Sequence, residues 1–262
     1  MESMFPVPRI TESFIDGVAD QLGWKRFSAV RSVAEGEQNA DYVAPSGILE
    51  LKIFEEEGLD KTERQSKLAH LFESVSAGDD VVDIDLNSAP EKIRQKLESI
   101  VSKPLQTAIK KASKQIKSSA LALQSDGVGV LIAVNNGFSY LDADNFERLV
   151  IRRCRNDSSN IDHAACVTVD YHQGDFDAFV FCTVRCHPIK EVESWSEAER
   201  FCSVVKKKFE VAMTKMMRDQ MNRAFRDESL SPVTDILFER NGVRYIRKAP
   251  CVPDSRLNKN EV

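Results

Sequence analysis

The chain has 262 residues, 42% of them hydrophobic, and a formal net charge of −5. That is enough apolar material for one large domain or two small ones, and the acidic balance argues against indiscriminate binding to nucleic acid. No apolar run approaches the ~20 residues needed to span a bilayer, and Met1 to Arg9 lacks the basic start and apolar block of a signal peptide.

The first strand signals lie in Asp41-Tyr-Val-Ala-Pro-Ser-Gly-Ile-Leu-Glu50-Leu-Lys52, which reads as a strand, a Pro45-Ser46-Gly47 turn and a second strand. Strand side chains alternate, so Glu50 and Lys52 share one face while Leu49, Leu51 and Ile53 point the other way into a core. Two charged groups on a half-buried strand are costly unless they are paired or coordinate something. Asp41, just ahead of the turn, is placed to fold back beside them. Two carboxylates and an ammonium at one point suit a hard divalent cation and an activated water. The plain alternative is an amphipathic hairpin whose Glu50 and Lys52 face solvent.

A polar, acidic segment follows from Glu55 to Asn87, with a helix over about Lys61 to Val75 and a Gly-Asp-Asp loop. Ser88-Ala-Pro-Glu starts the next helix, with serine at the cap and proline and glutamate in the first turn. Pro104 to Leu123 reads as a helix feeding the apolar strand Val128 to Val134. Asp142-Ala-Asp-Asn begins another helix, with apolar spacing at Phe146, Leu149 and Val150. Two strands follow, Ala164 to Tyr171 and Ala178 to Arg185, joined by His172-Gln-Gly-Asp. Ser196 with Glu199 makes a capping box for a long helix to about Phe225. Asn241-Gly242, between Ile236-Leu-Phe-Glu-Arg and Val243-Arg-Tyr-Ile, is a two-residue hairpin signal. The tail, 250–262, is polar and expected to be disordered.

Charge is unevenly distributed. Val101 to Ser125 carries Lys103, Lys110, Lys111, Lys114 and Lys117 with no acidic residue, whereas Phe54 to Ser102 holds twelve acidic and six basic residues. Long helices with basic faces suit a phosphate backbone, although charge runs are more often plain solvated faces. The six cysteines (Cys154, Cys166, Cys182, Cys186, Cys202, Cys251) are too sparse for a disulfide scaffold and lie mostly in apolar contexts. They read as core residues in a reducing, cytoplasmic setting. Cys182, Cys186, His187, His163 and Cys166 have the wrong spacing for a zinc knuckle.

The Asp41, Glu50-Leu-Lys52 arrangement resembles the PD-(D/E)xK nuclease superfamily, and Glu50-Leu-Lys52 is the only acidic-x-Lys triplet in the chain. The family core opens with a helix bearing a glutamate about three turns ahead of a Gly-aromatic pair. Here Ile10 to Trp24 supplies Glu12 ahead of Gly23-Trp24. The family's helix after the acidic-x-Lys strand carries Gln or Lys toward the site, which singles out Lys111 and Gln115, one turn apart.

The resemblance covers about the first half of the chain and implies an α/β fold with a restriction-endonuclease-like mixed sheet flanked by helices. Residues 1–249 form a single domain on this reading, with a helical insertion at 54–102 and a long C-terminal helix plus hairpin. The insertion is the main departure from the family pattern. Implied too is a magnesium-dependent nuclease acting on nucleic acid, DNA rather than RNA, with Mn²⁺ as a substitute. Asp41, Glu50 and the Leu51 carbonyl would be the metal ligands. Lys52 would orient the attacking water, Glu12 would hold a metal-bound water or second ion, and Lys111 or Gln115 would contact the scissile phosphate or position Lys52. The competing readings are the same fold used without cleavage to bind nucleic acid or protein, and an unrelated α/β partner protein. A homodimer or a protein partner is compatible with each.

Overall fold

The computed structural model describes residues 8–32, 37–55, 61–73, 79–87, 89–136, 141–173, 178–223 and 236–246. Its centre is a six-stranded mixed sheet. Strands β1 (Lys25–Arg26), β2 (Tyr42–Ala44) and β3 (Gly47–Phe54) run antiparallel to one another in that order. Next come β5 (Val128–Asn135) and β6 (His163–Gln173), both parallel to β3, and finally the antiparallel β7 (Ala178–Pro188). The chain is therefore α/β, with helices on both faces of a mixed sheet.

Alternation along the strands divides the apolar residues between two cores. Leu49 and Leu51 of β3, Val130, Ile132 and Val134 of β5, and Ala165 and Val167 of β6 face α1 (Glu12–Leu22) and α7 (Ala198–Arg223). Ile48, Phe54, Leu131, Ala133, Ala164 and Cys166 face α5 (Lys103–Leu123) and α6 (Ala143–Asp157). The central strands are thus buried on both sides, as parallel strands require. Helix α5 presents Leu105, Ile109, Ala112 and Ile116 at three- and four-residue spacing to that second core. Gly47 opens β3 so close to β5 that a Cβ there would lie 1.9 Å from the Val128 carbonyl oxygen.

The chain between β3 and α5 is not purely helical. It contains α3 (Thr62–Phe72), β4 (Val81–Asp83) and α4 (Glu91–Val101), and β4 pairs in parallel with β9 (Val243–Ile246). With β8 (Ile236–Arg240) this makes a second sheet in the order β4-β9-β8. The β8–β9 turn has Asn241 at φ 53° and Gly242 at φ 78°, the left-handed pair that such a turn demands.

Three expected boundaries shift. Helix α4 begins at Glu91 with Pro90 at its cap; Ser88, the expected cap, lies outside the described residues. Helix α7 begins at Ala198, and the Ser196 hydroxyl donates to the Glu197 carboxylate (2.8 Å) instead of accepting from the Glu199 N–H. His172 and Gln173 belong to β6, paired with Phe179 and Ala178, so the strand outruns the expected turn. A one-turn helix, α2 (Phe27–Val30), follows β1. The tail at 250–262 and the end of the helix at Phe225 lie outside the described residues.

Candidate active site on the hairpin of β2 and β3

Glu50 and Lys52 occupy the same row of β3 as Ile48 and Phe54, so the row is apolar at both ends and charged in the middle. It lies beneath α5, not against solvent. The amphipathic-hairpin alternative, with both charges exposed, does not describe this strand: Glu50 is 0% exposed. Its Oε1 accepts from the Lys52 ammonium. Lys52 also donates to Gln115 Oε1 of α5 at 3.1 Å. Gln115 in turn donates from Nε2 to the Asn39 carbonyl oxygen (2.8 Å), and one turn on Ser119 accepts from the Ala40 N–H (2.8 Å). Helix α5 thereby fixes both the lysine and the approach of the chain into β2.

Asp41 is set by the hairpin. Its N–H donates to the Leu49 carbonyl (3.1 Å), and its Oδ2 accepts from the Leu51 N–H (2.8 Å). The last β2–β3 pair is Tyr42 with Leu49. A strand residue directs its N–H and C=O toward the same neighbour, so the Leu51 carbonyl points past the end of that ladder, on the side where Asp41 sits. The two carboxyl groups are within hydrogen-bonding reach of each other. Burial, then the Asp41 charge, pushes Glu50 up to about 8, against the pull of Lys52. Burial also raises Asp41, partly offset by the Leu51 N–H, Lys52 and Arg26. Glu50 Oε2 is buried and has no hydrogen-bond donor.

These observations describe a site short of positive charge. Like-charged carboxyl groups in low dielectric cannot both ionise cheaply, and a buried anionic oxygen without a donor is costly. A divalent cation beside Asp41 and Glu50 would relieve both conditions. Two carboxylates and one carbonyl match the ligand set of magnesium, which takes few protein oxygens and keeps several waters. Among the described residues no group of three or more His, Cys, Asp or Glu side chains is arranged to hold a metal. The oxygens that meet at this point are those of the two carboxyl groups and the Leu51 carbonyl.

The other expected residues are placed unequally. Glu12 stands in the first turn of α1, which Asn136 pins to the end of β5 by accepting from the Ile10 N–H (3.0 Å) and donating to its carbonyl (3.1 Å). The Glu12 charge reaches Asp41, but its carboxylate is 62% exposed and paired with Arg26 at 2.6 Å. It belongs to the rim. Lys111 is exposed; Lys52 is engaged by Glu50 and Gln115, so of the α5 pair only Gln115 enters the site.

One participant escaped the sequence reading. Arg26 of β1 binds Asp16 through Nε (2.6 Å) and Nη2 (2.7 Å), pairs with Glu12, and stands 3.9 Å from Asp41 Oδ1. Its guanidinium lies over the Tyr42 ring at 4.7 Å, and the Tyr42 hydroxyl donates to Asp16 (2.9 Å). A guanidinium is thus held at the mouth of the site chiefly by Asp16 and Glu12, within ion-pair distance of Asp41. Strand β1 has only two residues, too few for any pattern, so only the tertiary pairing of Arg26 with Tyr42 reveals it.

Of the residues weighed for zinc, His163 Nε2 is bonded to the Glu193 carbonyl (2.8 Å), His187 pairs with Glu147 (3.0 Å), and Cys166 is buried in the core. No helix among the described residues is long and apolar enough to cross a membrane. No family model matches the chain, and neither a curated protein nor a solved structure matches it.

Proposed function

We propose that this chain is a metal-dependent nuclease with a restriction-endonuclease-like core, hydrolysing phosphodiester bonds in nucleic acid, with DNA as the expected substrate. The observation that carries the reading is the convergence of Asp41, Glu50 and Lys52, with one Glu50 oxygen buried and lacking a donor. A purely structural ion pair would not leave that oxygen unsatisfied beside a second carboxyl group.

Asp41, Glu50 and the Leu51 carbonyl would hold one Mg²⁺, or Mn²⁺ in its place. Bound there, the ion would supply Lewis-acid polarisation of the phosphate and activation of a water. Lys52 presents an ammonium at the same point, where it can orient the attacking water and offset charge developing on the phosphate. Gln115 holds that ammonium in place, so the lysine need not be ordered during the reaction. Arg26 offers a second cation for a substrate phosphate at the rim. The exposed lysines of α5, Lys111, Lys114 and Lys117, lie on the helix that carries Gln115 and suit non-specific contacts to the phosphate backbone.

Cleavage of plasmid, linear and single-stranded DNA and of RNA in Mg²⁺, Mn²⁺ or EDTA tests the reading. Lys52→Ala spares the ligands and should lower the rate ~10²–10³-fold, while binding to nucleic acid changes little. If the wild type binds but cuts no substrate with any divalent metal, the fold serves as a binding module instead.

A further inference from the structure

Strand β7 turns Val180, Cys182, Val184 and Cys186 toward α7, where Phe201, Cys202, Val205 and Phe209 cover them. At this contact Cys186 Sγ and Cys202 Sγ are 3.4 Å apart, and the Cys186 thiol also lies 3.8 Å from the Ala198 carbonyl oxygen. Both thiols are only half-buried. They come from different elements, 16 residues apart in sequence. Closing the sulfurs to the ~2.05 Å of a disulfide requires a shift of about 1.4 Å.

We propose that Cys186 and Cys202 form a reversible dithiol–disulfide site that links α7 to β7 when the protein meets an oxidising low-molecular-weight disulfide. The two thiols are chemically unequal. The hydrogen bond shared with Cys186 holds the Cys202 thiol below its ordinary range, against its burial, with help from the Lys206 ammonium one turn along α7. The same bond and burial hold Cys186 well above that range. Cys202 is therefore the attacking thiolate and Cys186 the resolving thiol.

The Cys202 thiolate attacks one sulfur of a disulfide RSSR, forming a Cys202–SR bond and releasing RS⁻, which takes up the proton Cys202 gave to solvent. Cys186 then loses its proton and attacks Cys202 Sγ, releasing the second RS⁻, which is protonated. Two protein thiols are oxidised and one RSSR is reduced to two RSH. Cys154 and Cys166 make the internal contrast: both are buried, and burial pushes the Cys154 thiol up to about 12, so neither is a nucleophile at neutral pH. Because α7 also packs on α1, the bridge would stiffen the pair of helices behind the hairpin.

The test is to reduce the full chain, equilibrate it with oxidised glutathione, block remaining thiols under denaturing conditions and map the peptides by mass spectrometry. The expected product is one species lighter by two hydrogens, with Cys186 joined to Cys202, fully reversed by dithiothreitol. Its melting temperature should rise by several degrees, the direction expected for a cross-link of this loop length. Cys186→Ser should stop at a single glutathione adduct on Cys202, and Cys202→Ser should form neither adduct nor bridge. The proposal is overturned if wild-type Cys186 and Cys202 both stay free, or if a glutathione adduct persists on Cys202 while Cys186 is present. Should a serine variant fail to fold, the wild-type map alone decides between these results.

Discussion

Replacing Glu50 with glutamine should stabilise the metal-free protein at alkaline pH while removing its response to magnesium. In the absence of a cation Glu50 is buried beside Asp41, with Oε2 lacking a donor. Its folded-state value, about 8, lies above the ordinary 4.5. The folded protein therefore keeps a proton that the unfolded chain has already lost. The linkage sign follows: Glu50 costs nothing below about pH 4.5, and its destabilisation grows as pH rises and is complete above about 8. That displacement corresponds to roughly 5 kcal/mol at its upper bound. A glutamine side chain in its place does not titrate; its carbonyl can still accept from Lys52, and its NH₂ can donate to Asp41.

Thermal unfolding at pH 6 and pH 9, each in EDTA and in saturating Mg²⁺, measures this. In EDTA at pH 9 Glu50→Gln should melt at least about 5 °C above wild type, since 1 kcal/mol is worth ~2–4 °C in a chain this long. At pH 6 the difference should shrink. Saturating Mg²⁺ should raise the wild type and leave the variant unmoved. A variant that melts at or below the wild type in EDTA at pH 9 would refute the reasoning, because the carboxylate would then be well solvated by the fold itself.

Gln115→Ala removes the 3.1 Å bond to Lys52 and should lower the cleavage rate about 10–100-fold at saturating substrate. Lys111→Ala, one turn away and exposed, should leave that rate unchanged and reduce the salt slope of DNA binding by about 1; steady-state kinetics and a binding titration against salt separate the two. Gly47→Ala puts a Cβ 1.9 Å from the Val128 carbonyl oxygen and should destabilise the protein by about 1–3 kcal/mol in a denaturant titration, by disturbing the first β3–β5 pair.

The features legible in the sequence were those whose cause is local. Alternation placed Leu49 and Leu51 opposite Glu50 and Lys52, and β3 has that pattern. Asp142 caps α6 by accepting from the Asn145 N–H (2.7 Å), as its type and position imply. Asn241-Gly242 turns β8 into β9. What escaped notice depends on distant partners. Val81 to Asp83 is a strand only because β9, about 160 residues later, supplies the edge for it. Arg26 enters the site through a two-residue strand paired to Tyr42. Lys111 and Gln115 are equivalent as a sequence stripe, and only the tertiary contact of Gln115 with Lys52 separates them. The contact of Cys186 with Cys202 needs a strand and a helix to pack face to face, which spacing alone does not encode.

The most direct test of the account is the binding of Mn²⁺, a paramagnetic substitute for Mg²⁺, to the full chain followed by calorimetry and electron paramagnetic resonance. The account predicts one site per chain, displaced by excess Mg²⁺, lost in Asp41→Asn and Glu50→Gln, and kept in Lys52→Ala. Mn²⁺ binding that survives both carboxylate substitutions, or no binding by the wild type at millimolar metal, would contradict it.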